Sequence, residues 1–230
     1  MLINMSYMWE NFNIKTFPAE TIVYRDGLFC PELSTLKNTD IDKNCDLPVH
    51  IIYVGEITDK NELDVNISAQ NQKVFLSMKI KNKKPAFLNI FIKNTGKKSD
   101  FCAHIMLENN NDLIFNCTSE HSESETTGLI KVKLLAGKES KSKLSGTAII
   151  NKNCLKTQSD ISFSAIADKS ARIEFMPAQK ISALPEKADH SASIYKPTDF
   201  QIEYLRESGL SSIEIENVMK EAFFNDMNLF

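Results

Sequence analysis

The run Lys73-Val74-Phe75-Leu76-Ser77-Met78-Lys79-Ile80 sets the reading of the chain. Val74, Leu76, Met78 and Ile80 alternate with Lys73, Phe75, Ser77 and Lys79. A period of two lays one face of a strand on a core and the other toward solvent. The pattern recurs on both sides. His50 to Ile57 and Leu63 to Ile67 precede it. Phe87 to Lys93, Cys102 to Glu108, Leu113 to Cys117, Leu129 to Ala136, Leu144 to Ile150, Ile161 to Ile166 and Ala171 to Phe175 follow. Turn residues separate them, as in Asn82-Lys83-Lys84-Pro85 and Asn109-Asn110-Asn111-Asp112, and Ser119 to Gly128 reads as a polar loop. Strand centres fall roughly every ten to fifteen residues, the spacing of a sandwich, a barrel or a β-solenoid. Asn-Gly and Asp-Gly pairs, the mark of two-residue hairpins, are nearly absent. Small side chains sit inside the later strands, in Ser145-Gly146-Thr147-Ala148 and Ser162-Phe163-Ser164-Ala165. Those rows suit the tight corners and stacked coils of a β-helix.

The two ends read differently. Residues 1–48 form an irregular lead-in, with a short strand at Thr21 to Tyr24 closed by Asp26-Gly27 and a loop from Leu33 to Pro48. Residues 49–195 are the β body. Residues 196–230 form a helical hairpin. Its first helix starts at a capping box, Thr198 with Gln201, and stops at Gly209, which can take the left-handed conformation that closes a helix. Leu210 should then fold back onto Leu205. The second helix starts at Ser211 with Glu214, again a capping box. Ile215, Val218, Met219, Ala222 and Phe223 supply one apolar stripe, and Phe224, Met227, Leu229 and Phe230 lie off it.

Composition narrows the function classes. A net charge of −3 over 230 residues gives no general pull toward nucleic acid or an anionic membrane. Seven lysines between Lys79 and Lys98 have only Phe87 and Phe91 among them and seven between Lys131 and Lys156 have no aromatic, too few for a base-stacking groove, so both blocks read as solvated strand faces. No apolar stretch is long enough to span a bilayer. The first residues carry no secretory signal, and five scattered cysteines without a CxxC argue against disulfides or a structural zinc, so a cytoplasmic setting is expected. P-loop, GxGxxG, GxSxG and HExxH motifs are absent, so the chain should bind no nucleotide of its own. Cys102 reads as a core residue. Cys154, after Asn151-Lys152-Asn153, should be exposed on a turn and is the best thiolate candidate of the five. His190 stands out for its neighbours, Asp189 before it and Ser191-Ala192-Ser193 after it, at the junction of β body and hairpin. Its imidazole is a potential metal donor.

These residues carry a resemblance. Asp189-His190-Ser191-Ala192-Ser193-Ile194, then Ile202-Glu203-Tyr204-Leu205-Arg206-Glu207-Ser208-Gly209-Leu210, then Ala222-Phe223, resemble the C-terminal signature of the SufB/SufD family, the scaffold subunits of SUF iron–sulfur cluster assembly. Ser145 to Ile150 and Ser170 to Pro177 look like the last coils of that family's β-helix. The resemblance runs from about Lys131 to Met227. It implies a mainly β fold, a right-handed parallel β-helix with a small C-terminal α-helical hairpin. It implies pairing of two cores, as a homodimer or with a SufB-like partner. A SufC-like ABC ATPase would dock on Tyr204, Leu205, Arg206, Gly209, Met219 and Phe223, and would hydrolyse the ATP. His190 matches the histidine implicated at the nascent cluster site, with Asp189 and Cys154 as candidate companions for a transient Fe–S cluster. Two positions depart from SufB. Ser191 stands where SufB carries Glu, as in SufD, and Ala171 occupies the place of a functional cysteine. The chain is also shorter than typical members. The expected function is a non-enzymatic scaffold, the alternative a SufD-like structural partner holding no cluster. A polysaccharide-active β-helix enzyme would want clustered carboxylates on successive coils, and the strands offer Lys, Ser and Thr instead.

Overall fold

The computed structural model describes residues 20–36, 39–41 and 47–227. In chain order the strands are β1 (Glu20–Arg25), β2 (Leu28–Phe29), β3 (Asp40–Ile41), β4 (Val49–Glu56), β5 (Asp59–Ile67), β6 (Lys73–Asn82) and β7 (Ala86–Asn94). They continue as β8 (Asp100–Asn109), β9 (Asp112–His121), β10 (Thr127–Ala136), β11 (Lys141–Ile150), β12 (Gln158–Ala167), β13 (Arg172–Ile181) and β14 (Lys187–Tyr195). Helices α1 (Asp199–Glu207) and α2 (Ser212–Phe224) close the chain. An 8-stranded sheet runs β14-β12-β10-β8-β6-β4-β1-β2 and a 6-stranded sheet runs β13-β11-β9-β7-β5-β3. From β3 onward successive strands alternate between the sheets, and each pairs in parallel with the strand one coil away; β1 and β2 form an antiparallel pair at the far edge of the larger sheet. That is a parallel β-helix, with a repeat of about 27 residues in its middle coils (Lys73 to Asp100 to Thr127).

The period of two explains the coil. Inward side chains of one strand land on inward side chains of the next, so Leu76, Ala103, Ile130 and Ile161 form one row and Met78, Ile105, Val132 and Phe163 the neighbouring one. Leu88, Phe115, Leu144 and Phe175 face them from the other sheet. The small residues expected at corners serve this interior instead. A Cβ on Gly146 would stand 2.7 Å from Phe163 Cζ and 2.8 Å from Ile161 Cγ2, so the glycine is the socket for the Phe163 ring. Corners are turned by Asn71 (φ 56°), Lys98 (φ 58°) and Glu125 (φ 60°), left-handed positions stacked one coil apart. Buried asparagines close them from within: Asn94 Nδ2 donates to Ser99 O at 3.1 Å and Asn109 Nδ2 to Lys141 O at 2.9 Å.

Two segments differ from their sequence reading. Strand β9 runs on to His121, so only residues 122–126 remain of the loop expected over Ser119 to Gly128. Ser119 and His121 are fully buried despite their polarity. Each ring nitrogen of His121 is engaged, Nε2 at 3.1 Å from Ser119 Oγ and Nδ1 at 2.9 Å from Thr126 Oγ1. Thr126 Oγ1 donates to Glu123 O, so Nδ1 donates to Thr126 and Nε2 accepts from Ser119. Burial pushes the His121 pKa down to about 4. The second segment is Asp189 to Ser193. Read from sequence as a junction, it lies inside β14, the last strand of the larger sheet. At the other end β1 already pairs in parallel with β4, so stacking begins before Val49. Residues 1–19 of the expected lead-in lie outside the described residues, as do Leu229 and Phe230.

Candidate functional site

The last coil is the one with no neighbour above it. Strands β13 and β14 end their sheets, and among the described residues no further strand pairs with their outer edges. His190 pairs in register with Ile161, so it continues the inward row Leu76-Ala103-Ile130-Ile161 at the open end of the helix. Ala192 and Ile194 continue the two rows beside it, over Phe163 and Ala165. Asp189 points the other way. It pairs in register with Asp160, and Lys187 Nζ lies 3.2 Å from Asp189 Oδ2 and 3.8 Å from Asp160 Oδ2. Adjacent residues of a strand face opposite sides, so Asp189 and His190 cannot grip one ion as a pair. Opposite β14, Phe175 lies 5.5 Å from the Phe163 ring. Gln179 keeps its amide nitrogen buried and unbonded.

The cysteines fall elsewhere. Cys154 was expected exposed and is 1 % exposed. Its turn folds the sulfur inward, where the thiol donates to His121 O at 3.5 Å, and Thr157 Oγ1 donates to Cys154 O. Burial, with the charge of Glu123, raises its pKa, so it is no ready thiolate. Cys117 points inward against Gly146, and burial pushes it up to about 12. Cys102, expected in the core, sits on the outer row instead, with its sulfur 3.8 Å from His104 Nε2. Among the described residues no three of His, Cys, Asp and Glu converge to hold a metal ion. His190, Asp189 and Cys154 are therefore not brought together.

The hairpin is built as its sequence demands. Both capping boxes form: Thr198 with Gln201, and Ser211 with Glu214. The Ser211 hydroxyl and N–H hold the Glu214 carboxyl below the usual carboxylate range. Gly209 takes φ +90°, Leu210 N–H donates to Leu205 O at 3.3 Å, and Gly209 N–H to Arg206 O at 2.9 Å, the two bonds of a Schellman ending. The candidate docking residues divide. Tyr204, 64 % exposed, and Gly209 face solvent, and Arg206 pairs with Glu203 at 3.1 Å. Leu205 is half-buried. Met219 and Phe223 turn toward the solenoid. Of the expected stripe, Ile215 is buried while Val218 and Ala222 are exposed; Met227, expected off it, is buried, brought back by the 3₁₀ turn Asn225–Met227. Phe200 (79 % exposed) and Ile213 (69 %) join Tyr204 and Val218 as exposed apolar surface.

Sequence reasoning missed the hairpin's seat. Lys133 on β10 donates to Phe223 O and lies 4.7 Å over the Phe223 ring. Lys220 reaches Glu108 on β8 at 3.7 Å. Lys169 pairs with Asp199, and Tyr195 Oη donates to Gln201 Oε1 at 2.6 Å. Beneath runs a crevice of about 670 Å³, lined by Leu135 and Ile166 of the solenoid and Pro197, Ile202, Ile215 and Met219 of the hairpin. Contacts up to 90 residues apart leave no local signal.

The sequence model of a family described as SUF system FeS cluster assembly, SufBD core domain, matches residues 51–223, from β4 nearly to the end of α2. No curated protein matches the chain. No helix among the described residues is long and apolar enough to cross a membrane.

Proposed function

Because the chain belongs to the SufBD core-domain family of the SUF iron–sulfur cluster assembly system, we propose that it is a non-enzymatic assembly subunit with two working surfaces. The first is the open end of the β-helix, which pairs with a second copy. The second is the helical hairpin, which binds a SufC-like ABC ATPase. The observation that carries the reading is the uncovered last coil. A stacked-repeat body needs its terminal unit covered or made polar, yet here the inward rows run out at His190, Ala192 and Ile194, all exposed, with no further strand over them among the described residues. The free edge of β14 contains no proline, and an unpaired edge is a template for another strand. Pairing there brings His190 of each copy to one interface.

The cluster is cargo in this reading. A neutral imidazole is a suitable donor for iron, but a site needs several convergent donors. One chain gathers no such set among its described residues, so the pair completes it. The ATPase meets Tyr204, Leu205, Arg206 and Gly209 of the hairpin with the exposed Phe200, Ile213 and Val218, takes up Met219 and Phe223 of α2 as well, and hydrolyses the ATP in the cytoplasm. A second reading is a SufD-like partner that holds no cluster, favoured by the burial of Cys154 and by Ala171 at the family's cysteine position.

Co-expression with a SufC-like ATPase under reducing, anaerobic conditions tests both. The expected result is co-purification that Tyr204→Asp abolishes, and Fe–S absorbance after reconstitution that His190→Ala removes. Failure to co-purify sinks the docking claim. Absorbance indifferent to His190→Ala, or none in the wild type, selects the cluster-free reading.

A further inference from the structure

We propose that the hairpin's seat on the solenoid is a reversible self-docking contact, latched by Lys133, that competes with the ATPase for α2. This rests on the reading of the hairpin as an ATPase dock. Three features carry it. First, α2 is apolar on two sides. Ile215, Met219 and Phe223 face the solenoid, while Ile213 and Val218 face outward. A helix with one neighbour needs one apolar stripe.

Second, charged groups are set into the ground beneath α2, beside the apolar Leu135 and Ile166. Lys133 is only 8 % exposed, and its amine caps the last turn of α2 at Phe223 O while sitting over the Phe223 ring. A cation suits the negative end of a helix. Glu108 takes Lys220 beside it. On release both charges return to water, which lowers the cost of uncovering the sheet there, as a leucine in place of Lys133 would not. Third, the seat is incomplete. No residue of α1 is buried, Ile215 is the buried residue of α2, and the crevice stays open under both.

The two states share residues, so they exclude each other. Met219 and Phe223 cannot meet a partner while they face Leu135 and Lys133. A ligand that binds only the released state has its apparent affinity lowered by the fraction of chains that are docked. Weakening the latch should therefore tighten ATPase binding.

The test is hydrogen–deuterium exchange of the full chain, read at α2, together with ATPase affinity, for wild type, Lys133→Glu and Lys133→Arg. Lys133→Glu puts a carboxylate against the Phe223 carbonyl and near Glu108. It is expected to speed exchange over residues 219–224 by about tenfold or more, to leave β8 and β10 unchanged, and to tighten ATPase binding by about three- to tenfold. Lys133→Arg should behave as wild type. Unchanged exchange in Lys133→Glu overturns the latch. Faster exchange with unchanged or weaker binding overturns the competition. Faster exchange with no ATPase binding by any variant overturns the docking reading, and the competition with it. Should Lys133→Glu destabilise the strands, Glu108→Gln removes the ion pair of Lys220 to the solenoid while its pair with Glu216 stays within α2, and must move both readouts in the same directions.

Discussion

Strands β7 and β14 are both 9 residues long and both pair in parallel, yet β7 is buried at every second residue and β14 at none. Their local patterns are alike. Inward Leu88, Ile90 and Ile92 alternate with Asn89 and Phe91, and Ala188, His190, Ala192 and Ile194 alternate with Asp189, Ser191 and Ser193. The difference is the coil on the far side. β7 lies between β5 and β9, while among the described strands β14 has β12 alone beside it. In a stacked body, stability is roughly a sum over neighbouring coils. The last coil therefore receives half of what a middle coil receives, and its inward residues are surface in the single chain.

The comparison can be broken by equal cuts in the two places. Phe115→Ala, in the closed middle, is expected to cost about 3–5 kcal/mol, whereas Phe175→Ala in the half-buried last coil should cost about 2 kcal/mol or less. Urea unfolding of the two variants measures the gap, and equal losses would mean that the end is as tightly packed as the middle. The next effect is on pH. His121 is held neutral in the fold at about 4 against an ordinary 6.5, so the unfolded chain binds the extra proton first. Its stabilisation is complete above pH 6.5, declines as pH falls through that value, and levels off below about 4. The loss is on the order of 3 kcal/mol, and His121→Gln should flatten that part of the pH profile. Ser211→Ala removes a helix cap at the periphery and should cost about 1 kcal/mol, visible in helical circular dichroism and in the exchange of α2 but not in β6 to β11. Lys187→Ala breaks the exposed pairs with Asp160 and Asp189 and should change stability by less than about 1 kcal/mol.

Much of the fold was legible because the coil is written in the simplest code, alternation of apolar and polar residues. It failed where the interior is polar. Ser119 and His121 point inward as Cys117 does, but nothing in their chemistry says so, and the strand was cut short. Corners were hidden for a related reason. With only seven glycines in the chain, left-handed positions fall to Lys98 and Glu125 as well as to Asn71, and a Lys or a Glu gives no turn signal; their stacking one coil apart is the cue. The hairpin was legible to the individual hydrogen bond, because caps are local chemistry. Its seat was not, because Lys133 and Phe223 meet only after the coils are wound. Cys154 looked exposed because its neighbours are Asn and Lys, and it is the turn's inward plug.

The hairpin's footing has a consequence for length. It touches Glu108 on β8, Lys133 on β10, Lys169 just past β12 and Tyr195 on β14. Those strands are spaced about 4.8 Å apart, so the helices act as a gauge laid across the final coils, fixing how far the dock stands from the open end. Coils ahead of β8 lie off the gauge. They can be added or removed as whole units while both ends keep their geometry, as a chain with few coils requires. Deleting residues 59–85, one complete turn, should leave the exchange of α2 and the pairing of the open end as they are.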